Sequence, residues 1–200
     1  DAVVQLAVPL QQQNIQELPR EAHKKGDHLP QTASGAEAGA LIAAALQGHD
    51  VGLVSEAGMP AIADPGSSVV RAAHDAGVEV VPLVGPTSLL LALAASGLNG
   101  QNFAFVGYVP SDGAQRVARL RELEQLALRQ GQTQIFIETP YRNPALMSAL
   151  LQTLQANTRL SISSGLTLES ARTQSCLVKQ WKPLNPELDN RTPMVFAIGR

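Results

Sequence analysis

Short apolar runs alternate along this chain with longer stretches in which apolar residues recur every three or four positions. Val51-Gly52-Leu53-Val54 is a short apolar run followed by loop residues, the pattern of a buried strand. Ahead of it, Ser34-Gly35-Ala36-Glu37 has capping-box spacing and predicts a helix over 34–47, ended by Gly48. Further on, the pattern predicts a helix over 67–76 closed by Gly77, a strand over 78–81 closed by Pro82, and a helix over 87–96 opened by Thr87 or Ser88 and ended by Gly97. A strand over 103–106, a helix over 112–130 ended by Gly131, a strand over 133–137 and a helix over 144–156 follow. The stretch 89–95 is apolar all round, so deep burial is expected for that helix.

Strands alternating with helices require crossover connections, which are right-handed and give a parallel sheet with helices on its faces. After Asn157 the character changes: residues 159–163, 176–179 and 194–198 read as short strands with no long helix between them. The expectation is an α/β protein of two lobes, a parallel-sheet lobe over residues 1–98 and a mixed-sheet α+β lobe over 99–200. Gly and Asn cluster over 97–102, where the border is placed.

Composition narrows the function. The chain has 200 residues, 44% hydrophobic, enough for a substantial core. A formal net charge of -2 gives no global attraction to nucleic acid, which leaves only local patches for that purpose. Arg116, Arg119, Arg121 and Arg129 share the 112–130 stretch with Glu122 and Glu124, which reads first as a mixed solvated face and second as an RNA patch. One cysteine, Cys176, allows no intrachain disulfide and fits a reducing compartment, so a cytoplasmic location is expected. No apolar run approaches the roughly 18 residues of a membrane helix, and no membrane association is expected. The start Asp1-Ala2-Val3-Val4 is neither a signal peptide nor a Met start, and suggests numbering that begins inside a longer protein. His23, His28, His49 and His74 lack metal-ligand spacing, and no metal is expected.

In open parallel sheets, ligands bind beyond the carboxyl ends of the strands. Three such segments combine Gly, Pro and small polar residues: 55–66 after the first strand, 82–88 after the second, and Glu138-Thr139-Pro140-Tyr141-Arg142-Asn143 after the strand over 133–137. Gly lets backbone approach a ligand closely, and Pro stiffens the loop. Thr87 and Ser88 open a helix, where free N–H groups favour a carboxylate. Plainer readings stand beside these: Asp64 as a cap for the following helix, Arg142 as a simple partner of Glu138. There is no P-loop, no Gly-x-Gly-x-x-Gly after a strand and no Gly-x-Ser-x-Gly elbow.

The run 51–66, then Val80-Val81-Pro82-Leu83-Val84-Gly85-Pro86-Thr87-Ser88, then Leu93-Ala94-Ala95-Ser96-Gly97-Leu98, resembles the tetrapyrrole-methylase-like superfamily. The resemblance is nearest to its ribosomal RNA small-subunit methyltransferase I branch. Residues 103–110 and Ile135-Phe136-Ile137-Glu138-Thr139-Pro140-Tyr141-Arg142 continue it in order, and Leu166-Thr167-Leu168-Glu169 and Thr192-Pro193-Met194-Val195-Phe196 follow more loosely. The family implies a two-lobed α/β fold, S-adenosylmethionine as cofactor in the cleft between lobes, and a homodimer. Its Gly-Asp-Pro motif falls on Gly58-Met59-Pro60, without the acidic residue. Carried over position by position, cofactor contacts fall on Gly58, Met59, Pro60, Ile62, Ala63, Thr87, Ser88, Leu89, Ile137, Thr139, Leu166, Thr192 and Pro193. Nothing before Val51 matches the family's opening strand, so the parallel sheet is expected to lack a central strand.

The activity so implied is methyl transfer, with ribosomal RNA ribose 2'-O-methylation as the first substrate reading and a tetrapyrrole or other small precursor as the second. The protein's task would be to hold acceptor and methyl group in line and keep water out. A ribose hydroxyl acceptor would use a base, for which Glu56, Asp64 and Glu138 are candidates. Tyr141 and Arg142 are candidate substrate contacts. A module that binds the cofactor without catalysis is the competing reading, motivated by Met59 and the unmatched opening strand.

Overall fold

The computed structural model describes residues 3–7, 35–55, 58–184, 186 and 188–200. Ser34 of the expected capping box and Glu56 of the expected base set lie outside the described residues. The chain divides into two compact units, Asp1–Thr87 and Ser88–Arg200.

The first unit holds a three-stranded sheet of β1 (Val3–Ala7), β2 (Val51–Val54) and β3 (Glu79–Pro82), in the order β2-β1-β3. Both pairings are parallel, with Val4 opposite Val51 on one side and Val80 on the other. This corrects the expectation of an absent central strand: β1 occupies that place. Its Val-Val-Gln-Leu-Ala sequence carries no motif to align, yet five apolar-rich residues suffice for a strand between two neighbours. The helix expected over 34–47 is two helices, α1 (Gly35–Leu41) and α2 (Ala43–Leu46). Ile42 leaves helical geometry at φ -92°, ψ 1°, while its side chain stays buried. Gly39 within α1 weakens propagation across this stretch. With α3 (Ser67–Asp75), these helices bury Ala38, Ile42, Ala45, Val69 and Ala73 in one core. The period-3.6 pattern places Val69 and Ala73 together, and Gly77, at φ 70°, ends the helical stretch.

The second unit is a five-stranded mixed sheet, β4-β5-β8-β6-β7, built from β4 (Phe103–Tyr108), β5 (Thr133–Glu138), β6 (Arg159–Ser164), β7 (Arg172–Leu177) and β8 (Met194–Gly199). β4 and β5 are parallel; β8 runs antiparallel to both β5 and β6, and β7 antiparallel to β6. Its faces are separately covered. Helix α4 (Ser88–Ser96) packs Leu89, Ala92 and Leu93 against Ile135, Val195 and Ala197. Helices α5 (Gly113–Gln130), α6 (Asn143–Thr153) and α7 (Val178–Leu184) bury Leu120, Leu146 and Trp181 in the core of Phe136, Phe196 and Ile198. The period-2 alternation of β5 and β8 thus feeds two cores, and Phe136 stacks on its register partner Phe196 at 5.9 Å.

Three expectations differ here. The border between compact units falls at Thr87/Ser88, not at 98/99, because α4 packs on the second sheet. Helix α4 is buried on one side only: Leu90 and Leu91 remain 49% and 38% exposed. The strand expected over 176–179 is β7, ending at Leu177, and Val178 opens α7, a helix the sequence reading passed over. The Gln180 side chain accepts the Leu177 N–H at 2.9 Å and so fixes that helix start. No helix among the described residues is long and apolar enough to cross a membrane.

Candidate functional site

In the first unit, the chain leaving β2 makes a tight reversal before α3. Gly58 and Gly66 sit at φ 116° and 138°, and Ala61 and Ala63 at φ 63° and 57°. Two non-glycine residues in the left-handed region cost about 1–2 kcal/mol each unless the surroundings hold them. The Ala61 N–H donates to the Pro65 carbonyl at 3.1 Å, closing the turn. Gly66 lies so close to β2 that an added Cβ would sit 2.9 Å from Leu53 Cδ2 and 3.2 Å from the Ala61 nitrogen. Gly58 approaches the Pro86 carbonyl, which an added Cβ would meet at 3.4 Å. Asp64 does not cap α3: the N-cap is Gly66, with no side-chain cap, and Asp64 Oδ2 accepts the Ser55 hydroxyl instead. Pro60 is buried, Gly58 and Met59 half-buried, and Ile62 and Ala63 exposed.

In the second unit, strand register brings distant segments to one edge. Glu138 at the end of β5 and Ser164 at the end of β6 both stand opposite Met194, the first residue of β8. Thr139, Leu166 and Thr192-Pro193 therefore leave neighbouring strands at the same edge. On the α4 face, Leu89, Ile137 and Leu166 share one apolar cluster. On the other face, the Glu138 side chain is fully buried. Its Oε1 accepts the Thr139 N–H at 2.8 Å and the Thr139 hydroxyl at 3.3 Å, and pairs with Arg142 Nε at 3.2 Å. Arg142 Nε also donates to Thr139 Oγ1 at 3.0 Å, and its guanidinium lies 5.4 Å from the Tyr141 ring centroid. The short 3-10 turn Pro140–Arg142, opened by Pro140, folds Arg142 back over the strand end.

Glu138 Oε2 is buried without a protein partner, and so is Asn143 Oδ1. Buried acceptors in this state need a donor from outside the chain, such as water or ligand. Asn143 donates through Nδ2 to the Thr192 carbonyl at 3.1 Å, tying the start of α6 to the approach to β8. Asp189 grips that approach from the other side, accepting N–H groups of Arg191 and Thr192 at 2.7 and 2.6 Å. These bonds, the Arg191 amide first, hold the Asp189 carboxyl below its ordinary value.

The second unit thus gathers Leu89, Ile137, Glu138, Thr139, Arg142, Leu166 and Thr192, with Ser88 at the start of α4. Gly58, Met59, Pro60, Ile62, Ala63, Asp64 and Thr87 belong to the first unit. Sequence reasoning missed Asp189 and gave Asn143, within the 138–143 segment, no role; the Asn-Pro step at 143–144 is a helix-start signal that singles it out. A cavity of about 690 Å³ lies elsewhere in the second unit, lined by Met147, Leu151, Lys182 and Leu188, and none of the site residues lines it.

The sequence profile of the Tetrapyrrole (Corrin/Porphyrin) Methylases matches residues 2–181. Ribosomal RNA small subunit methyltransferase I of Mesorhizobium japonicum is 40% identical over 132 residues, 66% of this chain and 44% of that protein. The protein of that name from Vibrio cholerae is 36% identical over 127 residues, 64% of this chain and 43% of that protein. The chain spans less than half the length of these relatives. The crystal structure of the methyltransferase CobJ matches with a TM-score of 0.55 at 20% identity, over 85% of this chain and 72% of that one, a likeness of fold alone. A profile match that runs from β1 into α7 shows that this chain belongs to the Tetrapyrrole (Corrin/Porphyrin) Methylase family.

Proposed function

We propose that this chain serves an S-adenosylmethionine-dependent methyltransferase whose acceptor is a ribose 2'-hydroxyl of small-subunit ribosomal RNA, in the cytoplasm. The observation that carries the reading is the convergence at one sheet edge of Leu89, Ile137, Thr139, Leu166 and Thr192. Support for the substrate comes from the relatives' names. An adenosyl ligand has a flat ring that favours apolar surface, and hydroxyl and amino donors. The Leu89–Ile137–Leu166 cluster on the α4 face fits the first need, and the Thr139 and Thr192 backbone that leaves the same strand ends offers acceptors for the second. When bound, the cofactor supplies a methyl group already activated by its sulfonium.

The chain's own residues then position and exclude. In the first unit, the cofactor contacts are assigned to the turn that carries Gly58, Met59, Pro60, Ile62 and Ala63, where Gly58 and Gly66 keep the backbone close-packed, and to Thr87; in the second unit they are assigned to Ser88 and Pro193. Glu138 holds Arg142, and Arg142 with Tyr141 meets the RNA. A fully buried carboxylate with one oxygen taken by three donors is suited to positioning. Half-buried Asp64, held by Ser55, is the described carboxylate we assign as base for the hydroxyl proton. The exposed Leu90 and Leu91 of α4 support a homodimer, which sedimentation would test.

The deciding experiment is calorimetry with S-adenosylmethionine and S-adenosylhomocysteine, followed by labelled-methyl transfer to small ribosomal subunits and to porphyrinoid precursors. Transfer to subunits alone is expected. Transfer to precursors alone would replace the substrate, binding without transfer would make the protein a non-catalytic cofactor binder, and no binding would end the reading.

A further inference from the structure

The chain contains two tyrosines, Tyr108 and Tyr141, and both stand at the same edge of the second sheet. Tyr108 ends β4 and pairs in register with Ile137 of the parallel neighbour β5; Tyr141 lies in the turn that follows β5. They are 59% and 67% exposed, whereas Phe136, Phe196 and Trp181 are buried. A single exposed aromatic needs no explanation. Two at the ends of adjacent parallel strands, where ligands of such sheets bind, form a feature.

The backbone is bent to present the first of them. Register shifts between Phe105 and Tyr108, and Gly107 takes φ 71°. Val106 packs against the core beneath α5 and α6, and Val109, three residues on, is buried in that same core. In an unbroken strand those two would face opposite ways, and Tyr108 would follow Val106 inward. The bulge reverses this, leaving Val109 inside and Tyr108 out. Bulges give up ladder bonds and persist where they re-aim a side chain. Tyr141 is held differently: Pro140 stiffens its turn, and the Arg142 guanidinium, anchored by Glu138 and Thr139, lies over its ring.

We propose that Tyr108 and Tyr141 are a stacking surface for the unpaired bases of the RNA beside the acceptor nucleotide, with Arg142 adding a cation next to the ring. The inference rests on the RNA reading above and adds that the substrate is recognised as a splayed single strand. Aromatic side chains bind unpaired bases through their ring faces with little regard to sequence, and exposed rings fixed at a strand edge need no ordering on binding.

The test uses the full chain, a short single-stranded RNA carrying 2-aminopurine, and small ribosomal subunits. Tyr108→Ala and Tyr141→Ala are each expected to weaken oligonucleotide binding and raise KM for subunits by about tenfold, as for loss of one stacked base. Tyr108→Phe and Tyr141→Phe, which retain the ring, should recover most of the binding lost in the alanine variants, and phenylalanine variants as weak as the alanine ones overturn the stacking role. Affinity for S-adenosylmethionine and the emission of buried Trp181 should be unchanged in all four, which separates RNA contact from folding or cofactor effects. Alanine variants that bind and methylate RNA like wild type overturn the stacking role and leave the RNA reading standing. A wild-type protein that neither binds the oligonucleotide nor methylates subunits overturns both.

Discussion

The turn between Gly58 and Gly66 and the strand end at Glu138 are built by opposite means. The first is shaped by backbone: two glycines and two alanines at positive φ, with a close approach to Leu53 that leaves no room for a side chain at residue 66. The second is shaped by side chains: one buried carboxylate gathers a hydroxyl, an amide and a guanidinium, and an asparagine reaches across to another segment. A backbone-built turn is held by its glycines and main-chain bonds rather than by the residue 59 side chain, so Met59 in place of an acidic residue need not alter its path. A side-chain-built strand end fails when its central group is lost.

The contrast can be broken most forcefully at Glu138. Glu138→Ala strips Arg142 and the Thr139 amide of their shared acceptor. Loss of one partner of a buried pair costs 3–5 kcal/mol, and Arg142, being 32% exposed, recovers part of that from water. Urea denaturation followed by Trp181 fluorescence should show a loss of about 2–3 kcal/mol. An unchanged midpoint would mean that the carboxylate holds nothing together. Gly66→Ala comes next. It forces a side chain into backbone geometry suited to glycine, against Leu53 and the Ala61 nitrogen, for an expected loss of about 2–3 kcal/mol in thermal or chemical unfolding of the first unit. A silent substitution would refute the account of this turn.

Ala63→Gly sharpens the contrast in the other direction. Relief of left-handed strain outweighs the added freedom of the unfolded chain, giving a gain of up to about 1 kcal/mol by the same denaturation measurement. Destabilisation there would mean the methyl group itself is needed. The smallest effect is expected from Asp189. Its carboxyl is held below the 3.8 of an unperturbed aspartate, so its contribution is full above that value and disappears as pH falls through the lower folded value. Asp189→Asn should flatten the acid limb of the stability curve, and a fall in the protection factor of the Thr192 amide at low pH in wild type would report the same event.

Much of this was legible in the residues because local signals coincide with tertiary ones. Gly77, Gly97 and Gly131 follow α3, α4 and α5 and take positive φ, as expected of helix stops. Asp112 caps α5 through the Gln115 N–H. β1 was not legible, because its place depends on two partners far along the chain. β7 was misplaced because Arg172, Thr173, Gln174 and Ser175 give no apolar signal; they form a sheet edge, where polar residues are at home. At the strand end, the Glu138–Arg142 pair was visible as an i, i+4 spacing, whereas Asn143 was not, since its partner Thr192 is 49 residues away.

β8 sits in the middle of its sheet, yet it is the last of the five strands to be synthesised. Until Met194–Gly199 emerges, β4-β5 and β6-β7 are separate pairs, each with an unsatisfied edge and an unfilled core. All six β8 residues are buried once it inserts. A nascent chain of this unit can therefore close its sheet only at the end of synthesis, through contacts of high sequence separation, and until then both strand pairs present open edges.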